Sequence, residues 1–127
     1  MRVSVFGPRK LTDEDTNTIQ TFWKLFRSKY KDIVYVHGGS KGAQQEILDL
    51  EIVEYFNKDI ILFKPWNLLN NKLTYTVDMM FYRNKQILDN SDVVIVFELQ
   101  DKDQLLWIAD YCNKNNIFLL KARGNVK

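Results

Sequence analysis

The sequence predicts an α/β fold, an open and mainly parallel sheet of about five strands in the order 3-2-1-4-5, with helices on both faces as a three-layer sandwich. Three observations predict it. Short apolar runs alternate with helix-length periodic segments along the whole chain. Parallel neighbours in a sheet need crossover helices between them, and a helical segment lies between each apolar run and the next. The stretch Ile33 to Glu46, IVYVHGGSKGAQQE, passes from an apolar run through three glycines into a helical pattern. That is the local grammar of strand, tight turn and helix N-terminus, an arrangement that aims backbone N–H groups at an anion.

Taken in order, Arg2 to Phe6 is a short strand opening on Gly7, Pro8 and Arg9. Thr12 with Asp15 fits a capping pattern, and Asp13, Glu14 and Asp15 suit the positive end of a helix. Ile19, Phe22, Trp23, Phe26 and Tyr30 then recur at helical spacing, and Asp32 ends the helix. Ile33 to Val36 is the second strand. A second helix runs from about Gly42 to Asn57, with Ala43, Ile47 and Leu50 on one stripe. Ile60 to Phe63 is a third strand, and Lys64-Pro65-Trp66 stops it. Asn67 to Tyr75 has little periodicity and reads as a long loop. A third helix spans Thr76 to Asp89. Val93 to Phe97 is the most apolar strand, followed by a polar loop from Glu98 to Asp103. Leu105, Ile108, Ala109 and Cys112 mark a fourth helix, Ile117 to Leu120 a last strand, and Lys121 to Lys127 a polar tail.

The 127 residues amount to one domain, and 46% hydrophobic content is enough for a core. The net charge of +2 is small and the basic residues are scattered, so nucleic acid is an unlikely partner on this count. No run approaches the ~20 apolar residues of a membrane span, and the N-terminus carries no signal-peptide pattern. One cysteine, Cys112, cannot form an internal disulfide, which points to a reducing, cytoplasmic location. One histidine and one cysteine make no metal-ligand set, and no cofactor is expected.

The predicted strand order places a switch point between the first and fourth strands, where ligands bind outside the carboxyl ends. Gly38, Gly39, Ser40, Lys41, Gly42 and Ala43 lie there. Side chains at the glycines would obstruct phosphate, Lys41 adds a cation, and Ser40 adds a hydroxyl. The spacing is neither that of a Walker A loop nor GxGxxG. Arg9 follows the first strand and can reach the same ligand, or be a surface arginine. Arg83 and Asn84 sit early in the third helix. Asn84 falls on an apolar face and needs a partner, either within the core or in a ligand. Glu46, one turn into the second helix, and Glu98, after the fourth strand, are candidate catalytic carboxylates or solvated residues. Trp66 and Tyr75 flank the long loop as base-stacking or packing groups. His37 at a strand end reads as structural, Asp92 as a turn residue, and Cys112 as buried and inert.

Together VSVFGPRKLTDED, VHGGSKGAQQ and FYRNKQILDNSDVVIVF resemble the SLOG superfamily. It links DprA-type DNA-processing proteins with LONELY GUY-type nucleotide phosphoribohydrolases, and the nearest branch is that of the small YspA-like proteins. The shared pattern is Gly7 and Arg9 after the first strand, then Gly38, Gly39, Gly42 and Ala43 after the second. Arg83 and Asn84 follow in the third helix, and Asp92 precedes the fourth strand. The resemblance spans Val3 to Phe97 and implies a single Rossmann-like SLOG domain over residues 1–127. It implies a nucleotide or nucleotide-derived, ADP-ribose-like ligand. Two positions depart from the pattern. Gln44 stands where an acidic residue is usual, and ELQDKDQ replaces a second glycine-rich loop. The expected function is therefore a non-catalytic sensor or sequestering protein, of which a phage-encoded sponge for an immune signal is one version. The alternative is a nucleotide N-glycosidase of the phosphoribohydrolase kind. DNA binding, as in the DprA-type relatives, is weighed against by the near-neutral charge. A homo-oligomer is expected through exposed parts of the third and fourth helices, including Trp107.

Overall fold

The computed structural model describes residues 1–63, 67–69, 72–74, 77–98 and 103–123. The elements run β1 (Arg2–Phe6), α1 (Asp13–Lys29), β2 (Val34–His37), α2 (Ala43–Val53), β3 (Ile60–Leu62), β4 (Asn67–Leu69), β5 (Lys72–Thr74), α3 (Val77–Asp89), β6 (Val93–Glu98), α4 (Asp103–Lys114) and β7 (Phe118–Arg123). The main sheet has the order β3-β2-β1-β6-β7 and every pairing in it is parallel. Counting only its own strands, this is the expected 3-2-1-4-5 arrangement.

Side-chain alternation along the central strands divides the core into two layers. Val3, Val5, Tyr35, Ile95 and Phe97 face α1 and α2, packing with Ile19, Trp23, Phe26 and Ile47. Phe6, Val36, Val94 and Val96 face the other way, onto Ile87, Leu88, Ile108 and Cys112 of α3 and α4. Both faces of the central strands are covered, which is why these segments read as nearly continuous apolar runs. Ser4 is the exception on the second face. Its Oγ accepts from Ser91 Oγ at 2.8 Å, so the buried hydroxyl is satisfied.

The first helix starts as its sequence dictates. Thr12 Oγ1 accepts the Asp15 N–H at 3.1 Å, and Asp15 Oδ2 accepts the Thr12 N–H at 3.1 Å, a reciprocal capping box. Between α1 and α2 lies a buried ionic cluster. Glu51 is fully buried, and Arg27 reaches its two carboxylate oxygens with Nε at 2.9 Å and Nη2 at 2.5 Å. Trp23 Nε1 and Asn57 Nδ2 donate to the same carboxylate at 3.1 and 3.0 Å.

Three expectations need correction. The segment read as a loop from Asn67 to Tyr75 contains an antiparallel pair, Asn67↔Thr74 to Leu69↔Lys72. Its two short strands stand two residues apart, which is hairpin spacing. The last strand continues past Leu120, because β6 extends far enough to pair Lys121, Ala122 and Arg123 with Val96, Phe97 and Glu98. The second helix stops at Val53, and Phe56, at φ 49°, turns the chain out of helical geometry. Among the described residues no helix is long and apolar enough to cross a membrane.

Candidate functional site

At the carboxyl edge of the sheet, β1 runs into Gly7 and β2 into Gly38, beside the switch point between β1 and β6. The glycines there solve a packing problem. A Cβ on Gly7 would lie 2.8 Å from the Ala43 Cβ and 3.2 Å from that of Phe97. A Cβ on Gly42 would overlap the Pro8 carbonyl oxygen, and the φ of Gly42 is +82°. The Ala43 N–H donates to that same Pro8 oxygen at 3.1 Å. The Gly7 to Arg9 loop is thus closed directly onto the first residues of α2.

The other half of the turn is held from beneath. The Gly38 N–H donates to Gln44 Oε1 at 3.0 Å, and the Gly38 carbonyl accepts from Arg83 Nη1 at 3.1 Å. A Cβ on Gly38 would come within 2.5 Å of Arg83 Cδ. Gly39 takes a φ of +73°, and its N–H donates to His37 Nδ1 at 3.1 Å. The amides of Gly38 and Gly39 therefore point inward, onto protein acceptors. Among the described residues, the amides of Ser40, Lys41 and Gly42 donate to no protein acceptor. They precede the first turn of α2, which has no side-chain cap. Gly39 and Lys41 are exposed, as are Arg9 and Lys10 on the neighbouring loop. Among the described residues none of these three cations forms an ion pair.

Arg83 is buried and bridges Gly38 to Asn84, whose Oδ1 accepts from Arg83 Nε at 3.1 Å. Asn84 thus has its partner within the protein. His37 lies flat on the Tyr35 ring, 5.3 Å between centroids, and burial lowers its pKa. With Nδ1 accepting from Gly39, the neutral ring carries its proton on Nε2. Of the two carboxylates singled out, Glu46 accepts from Gln20 Nε2 at 2.5 Å, and Glu98 is ion-paired with Lys121 at 3.8 Å. Trp66 and Tyr75 lie outside the described residues. Asp92 accepts the Arg2 N–H at 2.8 Å at the opposite edge, as a turn residue. Burial pushes the Cys112 thiol up to about 11, which leaves it protonated. No group of His, Cys, Asp and Glu among the described residues could hold a metal ion.

Gln44, noted in the sequence only as a departure from an acidic position, is the residue whose role sequence reasoning did not assign. It is buried, it holds Gly38 through its side chain, and Tyr35 Oη donates to its backbone carbonyl at 2.9 Å. The available signal was a polar residue on the inward side of a helix, two residues after the glycine turn.

No protein-family model matches the chain, and no curated protein does. Among solved structures, DNA processing protein A from Helicobacter pylori superposes with a TM-score of 0.72 at 19% identity. The fold is shared with that protein. The match covers 95% of this chain and 64% of the other, so the present chain corresponds to under two thirds of its length. That structure concerns a single-stranded DNA binding mode. It overturns two expectations: that the domain is a nucleotide or ADP-ribose sensor, with the glycosidase as its alternative, and that nucleic acid is an unlikely partner. The physical reason is local. A net charge of +2 is a sum over the whole chain and does not report that Arg9, Lys10 and Lys41 share one edge. A turn that accepts phosphate also does not distinguish a free nucleotide from a phosphodiester in a strand.

Proposed function

We propose that this chain binds single-stranded nucleic acid, with a backbone phosphate against the amides of Ser40, Lys41 and Gly42. Arg9, Lys10 and Lys41 flank the phosphate, and the first turn of α2 contributes the positive end of its dipole. Gly7, Pro8, Gly38, Gly39, Ala43, Arg83 and Asn84 shape the surface from behind. The observation that carries the reading is the direct closure of the Gly7 to Arg9 loop on Gly42 and Ala43. It brings three exposed cations, none of them ion-paired among the described residues, to the carboxyl edge of the sheet. The fold shared with a single-stranded DNA-binding protein supports it. A SLOG-type domain of the small YspA-like branch, in a cytoplasmic setting, is the family reading that accompanies it.

The test is fluorescence anisotropy with a labelled oligothymidine strand and the matching duplex. Binding should favour the single strand. If about three phosphates are neutralised, the slope of log K against log salt is roughly −2. Lys41→Glu and Arg9→Glu should each weaken binding roughly tenfold or more and make the slope shallower. Absence of binding at low salt, or affinity untouched by both charge reversals, would refute the proposal.

A further inference from the structure

Single exposed apolar side chains are ordinary, and Leu25, Tyr82, Leu106 and Phe118 stand on four different elements. At one place such residues gather. Ile52 and Val53 end α2, Phe56 follows in the turn, and Leu62 lies on β3, an edge strand of the main sheet. All four are between 43% and 78% exposed, Phe56 the most. Leu48, one turn before Ile52, and Ile60, on the same face of β3 as Leu62, pack against the core layer beneath α1 and α2. Glu46 and Glu54 meet α1 through Gln20 and Lys24, so Leu48 and Ile52 lie on the opposite flank of α2, over the β3 edge. Phe56 supplies a second observation. Its φ is 49°, in the left-handed region just past a helix end where glycine is usual. A side chain is costly in that conformation, and here the ring is left in water as well.

We propose that the patch formed by Ile52, Val53, Phe56 and Leu62 is the contact by which a second copy of this chain docks, in a two-fold symmetric dimer. Area and charge argue for that occupant. The four side chains expose on the order of 400 Å² per copy, so two copies bury about 800 Å² of apolar surface before the polar rim is added. With the rim, the contact reaches the roughly 1,000 Å² at which specific interfaces begin. Asp49, Lys58 and Asp59 are exposed beside these residues and, among the described residues, form no ion pair. A two-fold axis brings the lysine of each copy toward the carboxylates of the other. Two carboxylates to one lysine also make a rim that disfavours a polyphosphate, which separates this surface from the cationic edge at Arg9, Lys10 and Lys41.

The experiment is sedimentation equilibrium over a concentration series, with thermal melting beside it. Wild type should dimerise in the micromolar range, and its melting temperature should rise with protein concentration. Phe56→Gly and Ile52→Glu should each weaken dimerisation roughly thirtyfold or more. Leu25→Glu, at an exposed apolar residue of α1 outside the patch, should leave it unchanged. At concentrations where wild type is dissociated, Phe56→Gly should melt no lower than wild type, because glycine suits the left-handed turn. A wild type still monomeric at about 100 µM overturns the proposal. So does a dimer that neither patch variant weakens, which would place the contact on another face. A Phe56→Gly variant that melts below the wild-type monomer shows that the ring packs within its own chain, and the proposal falls. It also falls if wild type stays monomeric while Phe56→Gly loses oligothymidine binding, which would give the patch to nucleic acid. Dimerisation is read without any oligonucleotide, so its outcome is distinct from that of the nucleic-acid test.

Discussion

The cluster around Glu51 allows a worked prediction. Glu51→Ala removes a fully buried carboxylate that accepts four hydrogen bonds, two from Arg27 and one each from Trp23 and Asn57. Arg27, 8% exposed in the intact protein, then has among the described residues only the Lys31 carbonyl and the face of the Tyr55 ring, 4.9 Å away, for compensation. Breaking a buried pair by removing one partner costs about 3–5 kcal/mol. That is a large share of the roughly 5–15 kcal/mol that holds a domain together. At roughly 3–5 °C per kcal/mol for a chain of this size, the melting temperature should fall by about 10–20 °C. The double variant Arg27→Met, Glu51→Leu removes both charges and should lose less than the single variant. Its remaining cost is chiefly the stranded Trp23 N–H, about 1–3 kcal/mol, since Asn57 Nδ2 keeps the Ile33 carbonyl at 2.9 Å. The exposed pair Lys24–Glu54, at 3.7 Å and about half exposed on each side, is the control, and its removal should cost under about 1 kcal/mol. Urea unfolding followed by circular dichroism measures all three. A Glu51→Ala loss below about 1 kcal/mol, or a double variant at least as damaged as the single, would show that the cluster does not hold α1 to α2 as described.

Two further outcomes are expected. Gly42→Ala drives a Cβ into the Pro8 carbonyl and strains a residue at φ +82°, so it should lower the melting temperature and weaken oligothymidine binding together. Gly39→Ala meets nothing nearer than Leu62 at 3.5 Å and should cost only the roughly 1–2 kcal/mol of its left-handed backbone. The second outcome concerns pH. Burial lowers the pKa of His37 below the ordinary 6.5, so as pH falls the unfolded chain takes up this proton first. The contribution of His37 is complete above about pH 6.5 and is lost as pH falls through the folded-state value. Melting temperatures between pH 7.5 and 5 should decline, and a His37→Asn variant should show a shallower decline; equal slopes would exclude His37 as the source.

Much of the architecture was legible because it is written in local periodicity. The capping residues Thr12 and Asp15, the stripe Ile19, Trp23, Phe26 and the run Val93 to Phe97 each report on their own element. Alternation plus the rule that parallel strands need crossovers pointed to a parallel sheet, and the order expected for it is the one observed. The short strands Asn67–Leu69 and Lys72–Thr74 were not legible as a pair, because each is only three residues long and too short to establish a period. For the glycines the structure adds a packing reason that the sequence does not show: a Cβ at Gly7, Gly38 or Gly42 would meet protein atoms.

What the sequence by itself determined is the alternating α/β pattern and the place of the glycine turn after the second strand, since both depend on residues a few positions apart. What only the tertiary structure decided is the wiring of that turn. Arg83 meets Gly38 across 45 residues, and Arg27 meets Glu51 across 24. Even Gln44, six residues from Gly38, is recognisable as its acceptor only once the turn has brought the helix back over the strand. Hydrogen-bond partners are set by approach in three dimensions, and so is the gathering of Arg9, Lys10 and Lys41 at one edge, which a charge summed along the chain does not record.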